Sequence, residues 1–271
     1  MTRLTTSDLS GIGRGQDLYD KELLEKTGLT LRQIACRAAG IGEEQILRVV
    51  RDLKVGMIPI TAGAGTIWGF TQAVRNIASH LGFTAFVTER FDVAGFAEAI
   101  ERRADVVLMA DDERFVAVNL LTRRVVDNTE ATGRGYGAAL ERLAKGVCDR
   151  RVLIIGAGRV GAGATRILKE MGAQIGVCDC ERTRAEWLAG EIEGVAEDDL
   201  DRALNAYTIL VDACPASGII DARHIKPSTV VAAPGISLGL TDEARLRVHD
   251  RLIHDPLQIG VATMVISAAR P

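Results

Sequence analysis

The residues best suited to chemistry are a glycine run, Gly156-Ala157-Gly158-Arg159-Val160-Gly161, and an acid, Asp179, that closes the next apolar stretch. The run follows an apolar strand pattern over 152–155 and leads at once into a helical pattern over 159–171. In that setting Gly156 serves a tight turn, Gly158 lets backbone approach a pyrophosphate, and Gly161 lets helix and strand pack closely. The amides of Arg159 and Val160 would then face phosphate oxygens, with the helix dipole behind them. With 28 glycines in 271 residues such a spacing recurs by chance, so the strand before it and the helix after it carry the inference. Asp179 follows the strand 174–178, where a carboxylate accepts hydrogen bonds from an adenosine ribose and repels a 2′-phosphate. NAD is therefore expected over NADP. Arg182 is the reservation, unless it stacks on the adenine instead. Two later strands end in Asp212-Ala213-Cys214-Pro215 and Ala233-Pro234-Gly235-Ile236. Cys214, Pro215, Pro234 and Gly235 are expected near the nicotinamide ribose and ring, with a plain turn role as the alternative.

Oxidation of an alcohol by a nicotinamide commonly uses a His or Lys to take the hydroxyl proton. None stands well for that task. His80 lies in a helical pattern, His224 and His249 in polar segments, His254 ahead of Asp255-Pro256, and Lys54 at the amino end of a strand. A neutral amine needs no such base. Deprotonating an alkylamine of pKa about 10 at pH 7 costs about 4 kcal/mol; an apolar pocket lowers that cost and a carboxylate beside the nitrogen raises it. Asp111, just past the strand 105–109, therefore suits an anchor for a different ammonium group of the substrate.

These residues need a frame. Helical patterns over about 6–26, 30–40 and 43–53 open the chain, and a strand over 55–61 runs into the loop Ala62-Gly63-Ala64-Gly65. A helix over 67–81, a strand over 84–88, a helix over 93–102 and strands over 105–109 and 115–121 follow. The loop Asp127-Asn128-Thr129-Glu130 leads to a long helix over about 134–148. The pattern then restarts with strands over 152–155, 174–178, 209–212, 229–233 and 252–254, helices over 159–171 and 182–189, and a closing helix over 258–268. The expectation is an α/β protein in which residues 1–133 form a helical and α/β substrate domain. Residues 134–271, with the inter-domain helix, form a doubly wound NAD-binding Rossmann domain.

Composition fits this. The chain is 47% hydrophobic and 25% charged with formal net charge −3, which argues against nucleic acid or an anionic membrane as the main partner. No apolar leader and no bilayer-length apolar stretch are present, so a cytoplasmic protein is expected. Five scattered cysteines without a CxxC pair read as reduced thiols, and no metal is expected. A small-molecule substrate is the expected partner; the sequence leaves oligomeric state open, a homo-oligomer included.

The first half carries Val55-Gly56-Met57-Ile58-Pro59-Ile60-Thr61-Ala62-Gly63-Ala64-Gly65, then Leu81-Gly82-Phe83, then Leu108-Met109-Ala110-Asp111-Asp112-Glu113-Arg114-Phe115. In this order, ahead of a GxGxxG domain, these segments resemble the pyrrolysine-forming dehydrogenases, the PylD family, over a stretch from Leu4 to Gly260. The resemblance implies oxidation by NAD of the terminal amine in the ornithine part of 3-methylornithyl-lysine, then loss of ammonia and closure of a pyrroline ring. It implies that Leu4 covers the substrate, that Thr61, Ala62 and Gly63 meet it, that Asp111 binds the ornithine α-ammonium and that Asn128 binds the amide. The family carries a serine where this chain has Ala62. The alternatives are a two-domain dehydrogenase of shikimate, methylene-tetrahydrofolate or dipicolinate type, or a NAD-binding sensor without turnover.

Overall fold

The structure is a computed structural model, and it describes residues 15–65 and 67–270. Leu4 lies outside the described residues. In chain order come helices Gln16–Thr27, Leu31–Ala39 and Glu43–Val49, strand β1 (Lys54–Ile58), helix Phe70–His80, β2 (Thr84–Val87), helix Asp92–Glu101, β3 (Val106–Ala110), β4 (Phe115–Asn119), β5 (Val125–Asp127) and helix Asn128–Leu143. The second half adds β6 (Arg151–Ile155), helix Arg159–Glu170, β7 (Gln174–Cys178), helix Arg182–Glu191, β8 (Val195–Ala196), helix Leu200–Ala206, β9 (Ile209–Asp212), β10 (Val230–Ala232), helix Asp242–Val248, β11 (Leu252–Ile253) and helix Gln258–Ala269. The α/β class expected from the sequence is what the chain adopts.

Two compact units result. One comprises Met1–Glu22, Thr30–Ala131 and Pro256–Pro271, the other Leu23–Leu29 and Thr132–Asp255. The division expected from sequence put all of 134–271 together, whereas helix Gln258–Ala269 packs with the first unit, against helices Leu31–Ala39 and Phe70–His80 and strand β4. The helix is apolar on every side, with Ile259, Val261, Met264, Val265 and Ile266 fully buried. Each such side chain contributes about 1.5–3 kcal/mol on leaving water. Asn119 donates from Nδ2 to the Ala268 carbonyl at 2.9 Å, fixing the helix end to β4.

The sheet of the first unit runs β2-β1-β3-β4-β5. β2, β1 and β3 are parallel, and β4 and β5 return antiparallel. Since β1 leads to β2 on one side and β3 lies on the other, the connections diverge between β1 and β3, where an open α/β sheet leaves a crevice at its carboxyl edge. Helix Leu31–Ala39 begins where the pattern indicated because Thr30 and Gln33 form a reciprocal capping box. His80 Nε2 meets Asp20 Oδ2 at 2.7 Å within this unit.

The second unit holds a six-stranded sheet ordered β11-β10-β9-β6-β7-β8, parallel throughout. Numbered from β6, that is the doubly wound dinucleotide order, whose switch point lies between β6 and β9. Strand interiors such as Val152, Leu153 and Ile154 are wholly buried, as a sheet covered on both faces requires. Helix Asn128–Leu143 starts six residues earlier than its sequence pattern suggested. Asp127 caps it, its Oδ1 accepting from the Thr129 amide at 3.0 Å, so Asn128 is a helical rather than a loop residue. Gly133 and Gly137 let this helix touch helix Arg159–Glu170: a Cβ on Gly133 would overlap the Val160 carbonyl, and one on Gly137 would lie 2.5 Å from Ile167 Cγ2.

Candidate active site

The glycine turn after β6 has the geometry its spacing called for. Gly156 has φ +99°, a left-handed conformation, and a Cβ there would sit 2.8 Å from the Ala213 carbonyl oxygen. A Cβ on Gly161 would overlap the Gly156 carbonyl, so that glycine permits the close approach of helix to turn. Gly158 differs: its φ is −73°, and nothing lies within 4 Å of a Cβ built on it. That open space is at the first turn of helix Arg159–Glu170, where the amides of Arg159 and Val160 precede the first intrahelical bonds. An anion is favoured there by both the helix-start N–H groups and the helix dipole.

Asp179 closes β7 beside this turn. Its Oδ2 accepts from the Ala157 amide at 2.6 Å and its Oδ1 from the Glu181 amide at 2.8 Å. The carboxylate thus reaches back to the glycine turn across adjacent strands. Arg182 is exposed and pairs with Glu186 at 2.7 Å, an i,i+4 helix pair that solvent screens. Cys214 and Pro215 follow β9, the neighbour of β6, and Pro234 and Gly235 follow β10, the next strand out; all four lie at the carboxyl edge. A Cβ on Gly235 would lie 2.8 Å from the Cys214 carbonyl oxygen, so the two turns touch. The sequence reading passed over Asp212 itself, the buried last residue of β9. Its signal was an acid ending an apolar strand run, a position the reading credited at Asp111 and Asp179 but not here.

In the first unit the turn after β1 and the turn after β3 meet. Thr61 donates through its amide to Asp92 Oδ1 at 2.8 Å and through its hydroxyl to Asp92 Oδ2 at 2.5 Å. Gly63 and Gly65 take positive φ, +68° and +77°. Asp112 Oδ2 accepts from the Ala64 amide at 2.6 Å, and a Cβ on Gly63 would overlap that carboxylate. Asp112, which shared with Asp111 a candidacy by position at the strand end and was given no specific role, is thus what holds the glycine loop. Ala62 is exposed, its carbonyl accepting from the Gly65 amide at 3.3 Å.

Asp111 caps its own turn, Oδ1 accepting from the Glu113 and Arg114 amides at 2.9 and 2.7 Å. Those two amides hold its carboxyl below the ordinary range. Its Oδ2 takes no hydrogen bond from the described residues and lies at the exposed edge. Nearby, Arg114 pairs with Asp127 at 3.3 Å. Asn128 begins the next helix with Oδ1 buried and without a hydrogen-bond partner among the described residues.

Each histidine has a structural partner: His80 has Asp20, His224 has Asp201, His249 the Leu246 carbonyl and His254 the Ala233 carbonyl. Lys54 begins β1, at the edge opposite the turns. All five cysteines are free thiols. Among the described residues no cluster of His, Cys, Asp or Glu is arranged to hold a metal ion, and no helix is long and apolar enough to cross a membrane.

Comparison with known proteins adds the following. Residues 8–126 match the family model described as pyrrolysine biosynthesis protein PylD, N-terminal domain. Residues 115–227 match the NAD-binding domain of D-isomer specific 2-hydroxyacid dehydrogenases. Pyrrolysine synthase of Methanosarcina barkeri is 30% identical over 267 residues, covering 98% of both chains. That of Methanosarcina acetivorans is 29% identical, over 98% of this chain and 99% of its own. Among solved structures, quinate dehydrogenase from Corynebacterium glutamicum in complex with NAD superposes with a TM-score of 0.53 at 14% identity, covering 79% of this chain and 93% of that one. That likeness speaks for the fold alone.

Proposed function

Because the chain belongs to the pyrrolysine synthase family, we propose that it is a NAD-dependent dehydrogenase that forms pyrrolysine. It oxidises the terminal amine of the ornithine part of 3-methylornithyl-lysine, with loss of ammonia and closure of the pyrroline ring. The observation that carries the cofactor is the open space over Gly158 at the switch point of an all-parallel sheet, with the Asp179 carboxylate on the neighbouring strand. When bound, the nicotinamide supplies the oxidising power, taking two electrons and a hydrogen from the amine-bearing carbon.

The chain's own groups bind and orient. Gly156, Gly158 and Gly161 shape the turn, the amides of Arg159 and Val160 receive the pyrophosphate, and Asp179 accepts from the adenosine ribose. The same carboxylate disfavours a 2′-phosphate, and Arg182, engaged with Glu186, does little to offset it; NAD is therefore preferred over NADP. Cys214, Pro215, Pro234 and Gly235 line the nicotinamide end.

On the substrate side the edge of the first unit is acidic, with Asp92, Asp111, Asp112 and Asp127 against Arg114. This suits a substrate with more than one ammonium group. Asp111 Oδ2 takes the ornithine α-ammonium, and the buried, unpartnered Oδ1 of Asn128 accepts an amide N–H, since an unpaired buried acceptor is otherwise costly. Thr61, Ala62 and Gly63 contribute backbone groups, Thr61's hydroxyl proton being committed to Asp92. No side chain acts as a base on the reacting amine.

The test is incubation of the protein with synthetic 3-methylornithyl-lysine and NAD, following NADH absorbance and the product mass. Formation of NADH with pyrrolysine is expected. Binding of NAD without NADH formation would overturn the enzyme reading in favour of a sensor.

A further inference from the structure

Asp212 ends β9, the strand that pairs with β6 at the switch point. Its side chain is 0% exposed. Oδ2 accepts from the Gly239 amide at 2.8 Å, the nearby Cys214 amide also favours the charged form, and Oδ1 has no hydrogen-bond partner among the described residues. A buried carboxylate with an unsatisfied oxygen is expensive, and burial pushes this one up to about 6 against the pull of the two amides.

Three turns converge on it. A Cβ on Gly156 would sit 2.8 Å from the Ala213 carbonyl oxygen, one on Gly235 2.8 Å from the Cys214 carbonyl oxygen, and one on Gly239 would overlap Asp212 Oδ2. The glycine turn, the turn after β9 and the stretch after β10 are thus packed with no room for a methyl group. The Asp212 carboxylate is the polar tie between the latter two.

We infer that Asp212 is a positioning residue for the nicotinamide half of the dinucleotide, clasping the turn that carries Cys214 and Pro215 to the stretch that carries Gly235 and Gly239. This rests on the dinucleotide reading of the carboxyl edge above. The adenosine half meets other groups, the Gly156–Gly161 turn and Asp179, to which the Asp212 carboxylate makes no hydrogen bond. The clasp therefore separates the two halves of one ligand.

The experiment is calorimetric titration of the full chain with NAD and, separately, with AMP, for the parent, Asp212→Ala, Asp212→Asn and Gly239→Ala. Asp212→Ala removes the tie, Gly239→Ala displaces its donor, and Asp212→Asn keeps one acceptor in the same shape. Asp212→Ala and Gly239→Ala are expected to weaken NAD at least about tenfold, the loss of one charge-assisted hydrogen bond, with AMP within about twofold and Asp212→Asn recovering most of the affinity. If Asp212→Ala does not fold, Gly239→Ala against Asp212→Asn carries the same comparison. Equal weakening of NAD and AMP would show a merely structural role and overturn the inference, as would unchanged affinity for both. A parent that binds neither ligand would instead overturn the dinucleotide reading, and the inference with it.

Discussion

Replacing Gly158 by Ala should leave the fold as stable as before while crippling cofactor binding. The backbone at Gly158 has φ −73° and nothing lies within 4 Å of the added methyl. Stiffening the unfolded chain at a compatible glycine gains about 0.4–1 kcal/mol. Gly158 is also the residue that caps the helix, where Ala is worse than Gly by roughly 0.5–1 kcal/mol. The two nearly cancel, so a denaturant midpoint within error of the parent is expected. In the bound state the methyl occupies the space the pyrophosphate must enter and pushes it off the Arg159 and Val160 amides. Losing one charge-assisted hydrogen bond there, about 1.5–3 kcal/mol, weakens NAD by roughly ten- to a hundredfold. Gly161→Ala is the contrast: its methyl overlaps the Gly156 carbonyl, and overpacking of this kind costs about 1–3 kcal/mol of stability. Denaturation curves and NAD titrations of both variants decide the matter. Parental NAD affinity in Gly158→Ala, or a stability loss matching that of Gly161→Ala, would refute the reasoning.

Asp179→Ala removes the acceptor facing the ribose and should weaken NAD by about 1–3 kcal/mol with little change in substrate KM; a parent that prefers NADP would overturn the assignment. Asp111→Asn keeps an oxygen for the Glu113 and Arg114 amides but removes the charge. Turnover should therefore fall at least about tenfold with NAD affinity unchanged, and parental turnover would take Asp111 out of the site. The His80–Asp20 pair gives a pH test. The hydrogen bond to Asp20 raises His80 above its ordinary 6.5, so the stabilisation is fully present below 6.5 and is lost as pH rises through the raised value. Asp20 is burdened by burial but held low by His80 and the Leu31 amide, so its share is lost only as pH falls through that lowered value. The stability difference between the parent and His80→Ala should be larger at about pH 5 than at about pH 9, and equal differences in urea melts at the two would count against the pair.

The order of strands and helices was readable because the parallel strands are buried on both faces and so appear as unbroken apolar runs, as at 152–155 and 209–211. β5 was not readable. It spans three residues, none of them buried, and is held by pairing with β4 rather than by any pattern of its own. Gly133, Gly135 and Gly137 disguised the start of helix Asn128–Leu143, since glycine lowers helix propensity; what requires two of them there is the neighbouring helix, which only the folded chain reveals. The glycine turn was legible because the backbone geometry at Gly156 and Gly161 is fixed by spacing. Between Asp111 and Asp112 the sequence offered no distinction. Which carboxylate turns inward to Ala64 is set by the tight return of β3 into β4.

Helix Gln258–Ala269 supplies much of the first unit's core, yet the whole of 132–255 is translated before it. During synthesis, then, helix Leu31–Ala39 and strand β4 emerge with an apolar surface that has no cover until the second unit has left the ribosome. The first unit has to wait, half finished, while the inserted one folds ahead of it.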